Sequence, residues 1–335
     1  MMKAVTISDV AKQAGVSKST VSQFLNQRYD YMAEKTKKRI EQAIDELGYS
    51  PNIVARSLKQ KSTMTIGVIV ANILHVFSTQ VIRAIEDYCN ESNFHVIVCN
   101  ADDEPAKEKR YIDMLRAKQV DGIIVFPTGG NVDLYKDLVK QNYPIVFMDR
   151  MVPGISVSSV LLDNEKASDL AVRTFVKKGY TRIGMISPPI VKNITPRTER
   201  VDGFKKALKK QQMTFYPEYL ASGEIADIQV MMEQLFKQAN PPTALLALND
   251  RVLVEILQFV KAQQFNIPHD LALIGIDDVS FAGIYNPELT TIAQPAFEMG
   301  KKAAELLLYL IRNKNVQEEA RVYRFEPKLI ERTSV

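Results

Sequence analysis

Residues 6–26 read TISDVAKQAGVSKSTVSQFLN. Thr6 followed three residues later by Asp9 has the form of a capping box with Asp in place of Glu, which marks a helix start. Val10, Ala11 and Ala14 then recur at helical spacing until Gly15, a residue type that ends helices by taking the left-handed conformation. Ser17 is a natural N-cap for a second helix over Lys18–Leu25, whose apolar Val21 and Leu25 stand one turn apart. On the opposite face Lys18 and Ser22, and likewise Ser19 and Gln23, are four residues apart, so four polar side chains share one strip. Two short helices joined through a Gly turn form a helix-turn-helix unit. A third helix from Ala33, with Ile40, Ile44 and Leu47 as its core stripe, closes at Gly48.

A plain three-helix bundle with a solvated face carries the same pattern, and charge favours a more specific reading. Residues 1–63 hold 11 basic and 6 acidic side chains, whereas the rest of the chain holds 32 and 33. The +4 of the whole is therefore an average of a +5 head and a −1 body. A short basic module on a near-neutral body points to a polyanion partner for the head.

The chain has 335 residues, enough for two or three domains. With 46% hydrophobic and 24% charged residues it is globular in composition, which excludes disordered and collagen-like classes. Cys89 and Cys99 lie at no metal-ligand or redox spacing, so both read as small core residues in a reducing compartment. The N-terminus lacks the basic-then-apolar pattern of an export signal, and no apolar run approaches membrane-spanning length. The expectation is a cytoplasmic protein.

From Ile66 onward, short apolar runs alternate with amphipathic helical patterns. Ile66–Val70, His95–Cys99, Gly122–Phe126 and Ile145–Met148 form one series, and Ile183–Ile186, Ala244–Leu248 and Leu271–Ile276 a second. This βαβ rhythm predicts two parallel sheets covered by helices, hence two α/β lobes. Ligands of such sheets sit beyond the carboxyl ends of the strands. Asp149-Arg150, Asn249-Asp250 and Asp277-Asp278 close three strands, Gln294 follows Thr290–Ala293, and Arg197 opens a helix after Pro196. Each reads separately as a helix cap or interlobe ion pair; together they read as one cleft.

The strings Thr6–Ala11, Ala14–Ser17, Thr20–Ser22, Asn26 and Glu46–Asn52 resemble, without a gap, the headpiece of the lac and Gal repressor family. The resemblance implies an α/β protein with a two-lobed, periplasmic-binding-protein-like core and an N-terminal all-α helix-turn-helix headpiece. It divides the chain into headpiece 1–50, hinge helix and linker 51–63, and effector and dimerisation body 64–335, with one lobe at about 64–162 plus 293–320 and the other at about 163–292 plus 321–335. Double-stranded operator DNA would be the partner of a homodimer. Lys18, Ser19 and Gln23 would reach base edges in the major groove, with Thr6, Ser17, Thr20, Ser22 and Asn26 around them. Many family members carry Arg where this chain has Gln23, and Gln suits adenine rather than guanine. In the stretch after Pro51, which is too short for a stable helix in water, the resemblance implies a hinge helix that orders on DNA, contributing Asn52, Ala55 and a minor-groove wedge, Leu58.

The same resemblance extends residue by residue to the cleft. Asp149, Asn249, Asp277 and Gln294 would take the hydroxyls of a sugar-like effector, while Arg150 and Arg197 clamp its most electronegative end. Phe77 would be an apolar wall, or it is core. The loop Ala71–Val76 shows His75-Val76 where many members have Asn-Pro. Ile194–Arg200, Val98–Asn100 and Ala71–Ile73 resemble most the regulators of 2-keto-3-deoxygluconate, which implies a keto-deoxy sugar acid whose carboxylate Arg150 and Arg197 suit, with a neutral hexose or pentose, or a phosphorylated sugar, as the alternatives.

No Gly-x-Gly-x-x-Gly follows a strand and no Walker sequence exists, so a nucleotide cofactor has no phosphate loop. His75, His95 and His269 are scattered, which gives neither a metal site nor a Ser-His-Asp device an obvious basis. No cofactor or metal is expected. The alternative, a sugar receptor or sugar-processing enzyme that does not bind DNA, leaves the basic head unexplained.

Overall fold

A computed structural model describes residues 5–30, 32–50, 62–190, 194–313 and 319–335. The chain divides into two compact units, Met1–Thr63 and Met64–Val335. Asn52, Ala55 and Leu58 lie outside the described residues.

In the first unit, α1 (Ile7–Ala14), α2 (Lys18–Leu25) and α3 (Glu34–Leu47) pack around Val10, Ala11, Ala14, Val21, Ile40 and Ala43. The backbone N–H and the hydroxyl of Thr6 both donate to the Asp9 carboxylate, at 2.8 and 2.7 Å. Such a cap contributes about 1 kcal/mol. Gly15 ends α1 at φ +61°. A Cβ there would meet the Arg39 guanidinium, which donates to the carbonyls of Ala14 and Gly15. The turn thus favours glycine by its backbone angle, and a Cβ there would also displace the arginine that crosses it.

The second unit contains two six-stranded sheets. The first has the order β11-β5-β4-β3-β1-β2, from β1 (Thr65–Val70), β2 (His95–Asn100), β3 (Gly122–Val125), β4 (Ile145–Met148), β5 (Ser159–Leu162) and β11 (Val322–Phe325). The second has the order β12-β10-β9-β8-β6-β7, from β6 (Ile183–Ser187), β7 (Leu220–Ser222), β8 (Ala244–Ala247), β9 (Ala272–Ile276), β10 (Thr290–Ala293) and β12 (Lys328–Ile330). Every pairing is parallel except β12 with β10. Central strands are buried throughout their length, as parallel strands with helices on both faces must be.

Helices α4 (Val76–Glu91), α5 (Pro105–Ala117), α6 (Val132–Lys140) and α11 (Ala296–Arg312) belong to the first lobe, and α7 (Asn164–Lys177), α8 (Thr195–Lys210), α9 (Ile228–Phe236) and α10 (Asp250–Ala262) to the second. Helices α7 and α8 lie so close that a Cβ on Gly203 would fall 2.6 Å from the Cα of Glu165. The chain passes between lobes after β5, after β10 and after β11. That last crossing corrects the expected lobe boundary. Residues 321–335 do not all join the second lobe, because Val322–Phe325 adds to the open edge of β5 and only then does the chain cross to β12. Pro327 separates the two short strands, and proline cannot supply the N–H of a continuous ladder. Near the C-terminus the buried Ser334 hydroxyl donates to the Leu273 carbonyl at 2.6 Å and accepts from the Thr290 N–H at 2.8 Å. Cys89 and Cys99 are free and buried, and burial pushes the Cys89 thiol up to about 12. Among the described residues no helix is long and apolar enough to cross a membrane.

Candidate functional site

In the head, the Ser17 hydroxyl accepts from the Thr20 N–H at 3.1 Å and shares hydrogen bonds with the Ser19 and Thr20 hydroxyls at 2.6 and 2.8 Å. Asn26 folds back on the far end of α2, donating to the Ser22 carbonyl at 2.6 Å. Lys18, Ser19 and Gln23 are exposed, while Thr20 and Ser22 are half-buried. Among the described residues the Lys18 and Gln23 side chains have no hydrogen-bond partner. The helix thus offers an exposed cationic donor and an exposed amide, with the Ser17, Ser19 and Thr20 hydroxyls engaged in holding its start.

In the body, Phe77, Asp149, Arg150, Arg197, Asn249, Asp277 and Gln294 all line one cavity of about 50 Å³ at the carboxyl ends of both sheets. This is room for a few waters. Asp149 and Asp277 directly follow β4 and β9, and each has a positive φ, +64° and +84°. For residues with a Cβ this conformation costs about 1–3 kcal/mol and tends to occur where function needs it. Burial raises the carboxyl groups of both above their ordinary range. Phe77 is 6% exposed within the core, edge-on to Phe126 at 6.5 Å, and it also lines the cavity.

Asn249 is a helix cap, its amide oxygen accepting from the Val252 N–H at 2.9 Å, and it also lines the cavity. Gln294 donates its amide N–H to Asp277 at 2.6 Å, and this leaves its own buried Oε1 with no hydrogen-bond partner. Arg150, 5% exposed, donates through Nη1 to Asp103 at 2.8 Å and to the Pro127 carbonyl at 3.1 Å. Its buried Nε has no hydrogen-bond partner and lies 3.6 Å from the Asp149 carboxylate. Arg197 donates to the Pro189 carbonyl at 3.1 Å and approaches Asp103 at 3.5 Å.

Three residues were missed by the sequence reading. Asp103 bridges both arginines across the lobes; burial would raise its carboxyl, but Arg150 and Arg197 hold it below the usual range. It follows β2, so the strand-end rule applied to Asp102-Asp103 would have found it. Arg200, 5% exposed, donates to Asn164 Oδ1 and to the Leu248 carbonyl, both at 2.8 Å, and forms part of the cavity wall. His75 meets Asp250 at 2.5 Å, and Asp250 also accepts from the Val76 N–H at 2.8 Å. His75 lay in the least familiar loop of the chain, and only the folded structure supplies its partner. Further ties join the lobes, between the Met151 N–H and the Thr195 hydroxyl at 2.9 Å, and between Arg324 and Glu199 in a two-bond fork at 2.9 and 2.6 Å.

A helix-turn-helix unit on a two-lobed body with a polar interlobe cleft defines a DNA-binding regulator. Residues 6–52 match the family described as bacterial regulatory proteins, lacI family, and residues 172–335 match the periplasmic binding protein-like domain. The chain is 50% identical over 333 residues to the probable HTH-type transcriptional regulator EndR of Paenibacillus polymyxa, covering 98% of both chains. It is 34% identical over 307 residues to the HTH-type transcriptional regulator KdgR of Bacillus subtilis (strain 168), covering 90% of each. Its structure superposes with a TM-score of 0.84 on that of the lac repressor dimer bound to operator and the anti-inducer ONPF, at 26% identity and 99% coverage of both chains. The chain belongs to the lacI family of bacterial DNA-binding transcriptional regulators.

Proposed function

We propose that this regulator is a homodimer that represses carbohydrate or sugar-acid catabolic genes, and that a small sugar-like effector held between its lobes sets its affinity for a pseudopalindromic operator. The observation that carries the effector site is the convergence of side chains from separate strand ends of both lobes on one buried polar cavity. Carboxylates, amides and guanidinium groups in such a cavity match the alternating donors and acceptors of vicinal hydroxyls. Residues 1–50 act as the headpiece, 51–63 as hinge helix and linker, and the body as effector and dimerisation domain. One recognition helix reads too few bases alone, so two-fold symmetry of the protein mirrors that of the operator; the lac repressor is seen as a dimer on its operator. Effector binding stabilises one relative position of the lobes and thereby changes whether the paired headpieces and hinges dock together. The likeness to KdgR makes 2-keto-3-deoxygluconate one effector to test.

The test is to select genomic fragments bound by the full chain and titrate the complexes with sugars and sugar acids. Release, or tightening, by one of them at a saturable concentration supports the reading; indifference to all of them while DNA binding persists removes the effector role. On the DNA side, Gln23→Ala should weaken the selected site by about 1–3 kcal/mol and leave nonspecific binding nearly unchanged. Equal losses on every sequence would show that Gln23 reads no base.

A further inference from the structure

The two arginines of the cleft suggest at first a carboxylate-bearing ligand, but each already faces an internal carboxylate. Asp103 lies 2.8 Å from Arg150 Nη1 and 3.5 Å from Arg197 Nη2, so both guanidinium groups already have a carboxylate partner within the protein. The third arginine, Arg200, spends its Nε and Nη1 on Asn164 and Leu248. Beside these three arginines stand three carboxylates, Asp103, Asp149 and Asp277, while Asp250 is engaged by His75; Asp149 and Asp277 line the cavity itself. Beside the cavity the unmet hydrogen-bonding capacity is one acceptor and one donor. Gln294 Oε1 is a buried acceptor without a donor, and Arg150 Nε a buried donor without an acceptor. A single hydroxyl placed between them serves both, whereas an ionised carboxylate at that point could accept from Arg150 but would donate nothing to Gln294 and would stand beside Asp149 and Asp277.

We infer that Asp103 is a built-in counter-ion that sets the charge of the effector, so that the cleft takes a neutral polyhydroxylated sugar and rejects its acid counterpart. Resting on the reading of this cleft as the effector site, this narrows the ligand class. Asp103 holds φ +57°, which Asn and Gly tolerate, so Asp103→Asn and Asp103→Gly remove the charge without straining the backbone.

The experiment is calorimetric titration of the full-length protein with D-glucose, D-galactose and D-ribose against D-gluconate, D-galacturonate and D-ribonate, with 2-keto-3-deoxygluconate added. The native protein should bind at least one neutral sugar about ten-fold or more tighter than the matching acid, and both variants should shift that ratio toward the acid by about ten-fold. Tighter binding of any acid by the native protein, 2-keto-3-deoxygluconate included, overturns the inference while leaving the cleft as the effector site. An unchanged ratio in the two variants overturns the role of Asp103. Binding of no compound in the panel overturns both this inference and the sugar-effector reading beneath it.

Discussion

Arg197→Ala should leave operator affinity intact and abolish the effector response at concentrations that saturate the native protein. Arg197 starts α8 of the second lobe, lines the cavity, and faces Asp103 of the first lobe at 3.5 Å. Burial and the neighbouring Arg150 lower its pKa, so it sits where its charge is felt. Removing a charged donor that hydrogen-bonds a ligand hydroxyl costs about 1.5–3 kcal/mol in ligand binding. That corresponds to roughly 10-fold to 150-fold in affinity. The measurement is the effector concentration for half-maximal change in operator binding, by fluorescence anisotropy of labelled DNA. A variant that responds at the native concentration would remove Arg197 from the site, and a variant that no longer binds DNA would show that the substitution acts on the fold.

Arg200→Ala should be the most damaging single change in the body, lowering stability by about 3–5 kcal/mol, because removing a buried cation leaves its partners unpaired. Two of those partners are geometric: Asn164 Oδ1 and the Leu248 carbonyl each lose a 2.8 Å hydrogen bond. The others are electrostatic, since Arg200 opposes the upward push of burial on the Asp149 and Asp277 carboxyls. At this domain size the loss corresponds to a fall of about 10 °C in melting temperature, measured by calorimetry without ligand. Arg200→Lys should recover only part of it, because an ammonium cannot reproduce the planar fork that reaches two acceptors. A melting temperature within a degree or two of native would mean that water replaces the guanidinium.

The limits of α1, α2 and α3 were legible because each is bounded by local chemistry. Thr6 with Asp9, Gly15, Ser17 and Gly48 act on their own backbone neighbours, so nothing distant has to be known. The buried central strands were equally visible as apolar runs between turns. By contrast β7, β11 and β12 are short edge strands that are only partly buried, so no apolar run marks them. Whether Val322–Phe325 lies in one lobe or the other depends on which sheet has an open edge, and no residue within that segment records this.

The cleft divides in the same way. Asp149, Asp277, Asn249 and Gln294 could be nominated because strand ends in α/β sheets face the ligand side, a rule that needs only the strands. Their convergence on one cavity, together with Arg150, Arg197 and Phe77, required both lobes to be in place. The pairing of Asp103 with both arginines, Arg200 with Leu248 and His75 with Asp250 links residues 47 or more positions apart. The sequence by itself therefore determined the helix-turn-helix, the two parallel sheets and the strand ends where polar residues gather, because periodicity and caps are short-range. Only the tertiary structure decided which lobe the last strands join and which charges meet, because burial and Coulomb interactions depend on distance in space and not along the chain. It is that second kind of fact that turned two arginines suited to an acid into a cleft already neutralised from within.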